Sequence, residues 1–130
     1  MENLTLLKIK LSVLWIINAV AMYRCTFFLD PGVIEKTIAG EYAFLQTPES
    51  LLVITLMWLI PLFMAFLSLT LKDSINRWTN IIMGIVFTVL NILHLIMHFT
   101  EFEPTVHQVL IVGSTVVVTA LIAWYAWKWK

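Results

Sequence analysis

The chain has 130 residues, 61% of them hydrophobic and 12% charged, with a mean hydropathy of +0.93 and no net charge. A soluble domain of this size still exposes much of its surface and cannot bury so much apolar side chain, so lipid must cover the remainder. Zero net charge argues against a broad electrostatic partner such as nucleic acid, and a single cysteine, Cys25, excludes an intrachain disulfide or a cysteine metal cluster.

Roughly 20 apolar residues cross a bilayer as a helix, and four runs meet that length, at about 7–29, 51–71, 78–99 and 106–127. Lys8 and Lys10, the run Leu11 to Asn18 and then Ala19-Val20-Ala21 imitate a cleavable secretory signal. The apolar run continues past that point to Leu29, broken only by Arg24, Cys25 and Thr26, so a retained first helix is expected, with Cys25 a free thiol packed among apolar neighbours. Residues 30–50 form the one long connection. Asp30-Pro31-Gly32 reads as a turn, and Val33 to Ala39 as a short interfacial helix stopped by Gly40. Ile34, Ile38, Tyr42, Phe44 and Leu45 make this loop apolar enough to lie on the membrane or cap the bundle. Thr47-Pro48-Glu49 is an N-cap followed by proline at the first helical position. Pro61 falls inside the second span, where it frees a carbonyl and predicts a kink. Asp73 and Ser74 are candidate caps for the third span, and Pro104 opens the fourth. The whole chain is then one domain, an all-α integral membrane four-helix bundle.

Basic residues orient it. Lys8, Lys10, Lys72, Arg77, Lys128 and Lys130 fall on one side, and only Arg24 and Lys36 toward the other. Both termini are therefore expected in the cytoplasm, N-in and C-in. Arg77, Trp78, Trp124, Trp127 and Trp129 would anchor the cytoplasmic interface, the tryptophans as an aromatic belt.

The polar chemistry gathers at the other end. Asn91, His94, His98 and Glu101 lie within an arc of about 80° on the third helix. Polar groups facing hydrocarbon are costly, so this arc should face the bundle interior or a subunit interface. At 1.5 Å per residue, Arg24 rises to about the same depth as His94, roughly 25 Å above the cytoplasmic end. Six of the eight acidic residues and all three histidines fall on this outer side, which predicts a polar vestibule lined by Arg24, Asn91, His94, His98 and Glu101. His94, His98 and Glu101, with His107 as a fourth, are spaced to ligate a divalent metal such as zinc. The same groups suit a proton, an anion or another small ligand, or hydrogen bonds between helices. Nothing in the sequence requires a cofactor, although a divalent metal or haem is compatible with it. No nucleophile elbow or phosphate loop is present, and enzymatic activity has no support beyond the histidines.

The inner ends of the helices carry a likeness to known sequences. Asn76-Arg77-Trp78-Thr79-Asn80-Ile81-Ile82-Met83-Gly84, Trp124-Tyr125-Ala126-Trp127-Lys128-Trp129, the opening Lys8 to Trp15 and the Asp30-Pro31-Gly32 turn resemble an uncharacterised family of small four-helix bacterial membrane proteins, a domain of unknown function. The resemblance implies a four-helix fold in the bacterial cytoplasmic (inner) membrane and no particular activity.

Four helices can enclose a small site but no wide pore. The leading expectation is a homo-oligomer that binds or passes a small solute or ion through the outer vestibule, with the lipid bilayer as its other partner. The alternatives are a redox or metal-dependent membrane component using the paired histidines for haem, zinc or a quinone, and a structural subunit of a larger membrane complex.

Overall fold

The computed structural model describes residues 3–27, 33–100 and 105–130. Its elements, in chain order, are α1 (Leu4–Phe27), α2 (Val33–Ile38), a 3-10 turn (Ala43–Gln46), α3 (Pro48–Thr70), α4 (Asp73–Thr100) and α5 (Val106–Lys128). Among the described residues, α1, α3, α4 and α5 are each long and apolar enough to cross a membrane.

Local chemistry sets the helix ends. Thr47 keeps an extended backbone and its hydroxyl oxygen accepts from the Ser50 amide at 3.2 Å, with Pro48 in the first turn of α3. Helix α2 closes at Gly40, whose φ of +84° lets the Glu41 amide reach back to the Lys36 carbonyl at 3.0 Å. Helix α4 starts at Asp73, earlier than the apolar run alone indicates. The Lys72 carbonyl accepts its first bond, from the Asn76 amide at 2.8 Å. Asp73 thus sits inside the first turn, where its charge favours the helix dipole, and is not the cap. Helix α3 runs unbroken through the buried Pro61. The proposed opening of α5 by Pro104 lies outside the described residues; its N-cap is Thr105, whose side chain makes no capping hydrogen bond to the helix.

Helix α1 is central. It packs along α3 on one side and α5 on the other, and α4 packs along α5. Helices α3 and α4 touch little beyond their connecting turn. The buried face of α1 is read directly from its spacing: Leu7, Leu11, Trp15, Asn18, Met22 and Cys25 recur every three or four residues. The opposite face is also apolar, with Val20 60% exposed; Phe66 on α3 reaches 62%. By contrast Asn18, Ser68, Asn76, Asn80, Asn91, Thr115 and Thr119 are fully buried. Apolar side chains outside and hydrogen-bonded polar ones inside is the arrangement a lipid solvent favours, because lipid gives no hydrophobic drive between helices and small or polar groups must join them.

The end that carries the termini is tied by Lys8, which reaches Asp73 Oδ1 at 2.7 Å and donates to the Leu71 carbonyl at 3.3 Å. Asp73 is half exposed, so Asp73→Asn is expected to change stability by less than about 1 kcal/mol, readable as a small midpoint shift in micellar denaturation. Arg77 donates to the Trp127 carbonyl at 3.4 Å and lies over Trp78, while Lys128 sits 4.2 Å from the Trp124 ring. Trp78, Trp124 and Trp127 are exposed as anchors would be. Trp129 is not: it folds back beyond α5 into the core cluster with Leu7 and Leu11 and is buried.

Candidate metal centre

Two polar layers occupy the seam between α1 and α4, separated by an aromatic one. Near the termini, Asn80 is a hub. Its Oδ1 accepts from Trp15 Nε1 at 2.7 Å and from the Ser68 hydroxyl at 3.1 Å. Its Nδ2 donates to the Asn76 carbonyl at 2.9 Å and to Asn76 Oδ1 at 2.7 Å, and Asn76 Nδ2 in turn donates to the Ser68 carbonyl at 2.7 Å. Above it, Trp15 and Phe87 meet edge to face at 5.6 Å. Beyond them Asn91 Nδ2 donates to Asn18 Oδ1 at 3.1 Å and to the Thr115 carbonyl at 3.2 Å.

The next turn toward the far end brings together three donors of a different kind. Cys25 comes from α1, and His94 and His98 from successive turns of α4. Cys25 Sγ lies 3.4 Å from His98 Nε2 and 3.9 Å from His94 Nε2, and the two Nε2 atoms are 3.2 Å apart. Cys25 and His98 are buried and His94 is partly so. Metal–sulfur and metal–nitrogen bonds of about 2.3 and 2.0 Å place the ligand atoms of one tetrahedral ion roughly 3.3–3.6 Å apart. The three separations bracket that range, so one ion at the centre could touch all three atoms after a displacement of a few tenths of an ångström.

The same seam holds buried polar atoms without a protein partner: Asn18 Nδ2, Asn91 Oδ1 and His94 Nδ1. Buried polar atoms left so are costly; His94 Nδ1 belongs to the Cys25, His94 and His98 cluster, and the two asparagine atoms to the layer one turn below it. A ligating histidine usually donates its second ring nitrogen to an outer partner, a role open to His94 Nδ1.

The outer vestibule expected from sequence divides on inspection. His94 and His98 converge, but Asn91 is fully buried and bonded across helices and so lines no open chamber. Its depth on α4 explains this: a turn below His94, the helices are in contact. Arg24, beside Cys25 in sequence, turns away by about 100° into a groove of about 370 Å³ with Ile16, Ile17, Val20, Ala21, Ile111 and Ser114. His107 is exposed in the first turn of α5 and is not among the clustered ligands. Glu101 lies outside the described residues. The residue that sequence reading missed is Cys25, taken there for apolar filling. A signal existed: Cys25 continues the Trp15, Asn18, Met22 stripe of α1, so it had to face whatever Asn18 faced.

A family model described as a family of unknown function (DUF6326) matches residues 4–130. The chain belongs to that family. DUF6326 membership agrees with the expectation of an uncharacterised domain and carries no activity with it. No curated protein and no solved structure matches the chain.

Proposed function

We propose that this DUF6326 protein is a metal-binding membrane protein, holding one transition-metal ion through Cys25 Sγ, His94 Nε2 and His98 Nε2. The observation that carries the reading is the convergence of a thiol and two imidazoles, 69 and 73 residues apart in sequence, to separations of 3.2–3.9 Å. Thiolate and imidazole are donors for zinc and copper, whereas oxygen-rich sites suit magnesium and calcium. Three protein ligands leave a coordination position for an incoming ligand, as in sites that exchange or activate rather than merely brace a fold. Haem does not suit the pair: the two rings are 4.8 Å apart, tilted by 42°, with no width between them for a macrocycle. The burial of Asn91 weighs against a solute passage along that face and in favour of an ion held at its end.

The basic end of the bundle faces the cytoplasm in this reading, by the excess of Lys and Arg there. The metal centre then sits beneath the outer surface of the bacterial inner membrane, within reach of ions from that side.

Native mass spectrometry of the full chain in mild detergent, reduced and loaded separately with Cu(I) and Zn(II), tests the proposal and reports the expected homo-oligomer in the same spectrum. About one ion per chain is expected in the wild type, with Cys25→Ser and the His94→Ala, His98→Ala double variant each losing most of it while keeping wild-type helix content. Equal metal uptake by the wild type and all of these variants, or none by the wild type, would overturn the assignment.

A further inference from the structure

We infer that the junction of α4 and α5, at the basic end of the bundle, binds one anionic phospholipid whose phosphate is recognised by Arg77 and Lys128. The inference is independent of the metal centre, which lies toward the other end. Arg77 stands in the second turn of α4 and Lys128 is the last residue of α5. Arg77 Nη2 crosses the junction to the Trp127 carbonyl at 3.4 Å, which brings the guanidinium beside the main chain that carries Lys128. Each cation lies over an aromatic ring, Arg77 5.8 Å from the centre of Trp78 and Lys128 4.2 Å from that of Trp124. A ring face positions a cation without neutralising it. Asp73, four residues before Arg77 and spaced to pair with it on the helix, instead meets Lys8 at 2.7 Å. Among the described residues, then, neither Arg77 nor Lys128 makes an ion pair. Arg77 Nε is buried, whereas the Nη2 bond is an exposed one, so the terminal nitrogens are the part of the guanidinium that faces outward. A guanidinium and an ammonium on facing helices suit the several oxygens of one phosphodiester.

The surroundings of the pair point to a lipid rather than a free anion. Trp78, Trp124 and Trp127 are exposed around it, and tryptophan favours the headgroup level of a bilayer. Trp124, Trp127 and Lys128 lie within an arc of about 100° on α5, and the exposed Leu121 and Val117 continue that face away from the basic end. A phosphate held on the two cations therefore leads its acyl chain along apolar side chains, which a free anion would not use.

Native mass spectrometry of the full chain in detergent, titrated with phosphatidylglycerol and with phosphatidylcholine of the same acyl chains, tests the inference. The wild type is expected to hold one phosphatidylglycerol per chain, preferred roughly tenfold or more over phosphatidylcholine, as two interfacial cations imply. Arg77→Gln and Lys128→Gln should each cut that preference roughly fivefold while keeping wild-type helix content. Lys128→Gln gives up only a contact with a ring face, so it carries the test should Arg77→Gln misfold. Lys72→Gln removes the same charge from an exposed position at the same end, outside the patch, and should leave the preference within about twofold. A loss in Lys72→Gln as large as in Lys128→Gln would overturn the inference, because net charge and not a site would then hold the lipid. Equal binding of the two lipids by the wild type, or displacement of phosphatidylglycerol by inorganic phosphate at constant ionic strength, would overturn it as well.

Discussion

Gly84→Leu is expected to destabilise the bundle by about 3 kcal/mol or more, among the largest effects of any single substitution in α4. A Cβ at Gly84 would stand 2.9 Å from the Ala123 backbone nitrogen and 3.1 Å from both its Cα and Cβ. Those neighbours are main chain or the stub of a side chain, so neither can rotate away. Helices α4 and α5 must instead separate, and α4 depends mainly on α5 for its packing. Even Gly84→Ala should cost about 1–3 kcal/mol from overpacking, against the ~1 kcal/mol that alanine ordinarily gains over glycine in a helix. Gly113 on α5 supplies the control of opposite sign. Nothing lies within 4 Å of a Cβ built there, so Gly113→Ala should stabilise by about 0.5–1 kcal/mol. Reversible unfolding in mixed micelles, followed by tryptophan fluorescence, would read both. Equal behaviour of the two alanine variants would show that the α4–α5 approach is looser than 2.9 Å implies.

Asn80→Leu is expected to cost roughly 2–4 kcal/mol although it keeps the branched four-heavy-atom side-chain skeleton. Removing Asn80 leaves Trp15 Nε1 without its acceptor and takes a partner from Ser68 and from Asn76. Single hydrogen bonds between membrane helices average well under 1 kcal/mol, but a buried donor left unpaired costs about 1–3 kcal/mol. The Trp15 indole is fully buried and cannot turn to water. The loss should appear both in the unfolding midpoint and as a shift of tryptophan emission. An Asn80→Leu protein as stable as wild type would mean that Trp15 finds another acceptor, and the hub would then be incidental.

The four spans were legible because lipid exposure requires long uninterrupted apolar runs, and length alone separates such runs from loops. The Thr47-Pro48 start of α3 and the Gly40 stop of α2 were legible because each depends on local backbone chemistry. Trp129 was misread for the complementary reason. Tryptophan favours an interface by composition, but the turn that carries Trp129 back over Leu7 and Leu11 depends on where α1 lies. His94 and His98 could be paired from their spacing on one helix, whereas their partner could not, because Cys25 is distant in sequence and chemically ordinary when read alone.

The sequence by itself determined that this is a chain of four apolar helices, with most acidic residues and the histidines toward one end and most basic residues toward the other. The tertiary structure decided which of those groups meet. Helical periodicity specifies the face on which a residue sits but not which helix that face opposes, and the register of α1 against α4 is set by their own side-chain contacts together with α5, along which both pack. That register buries Asn91 against Asn18, sends Arg24 into a separate groove, and sets Cys25 beside His94 and His98.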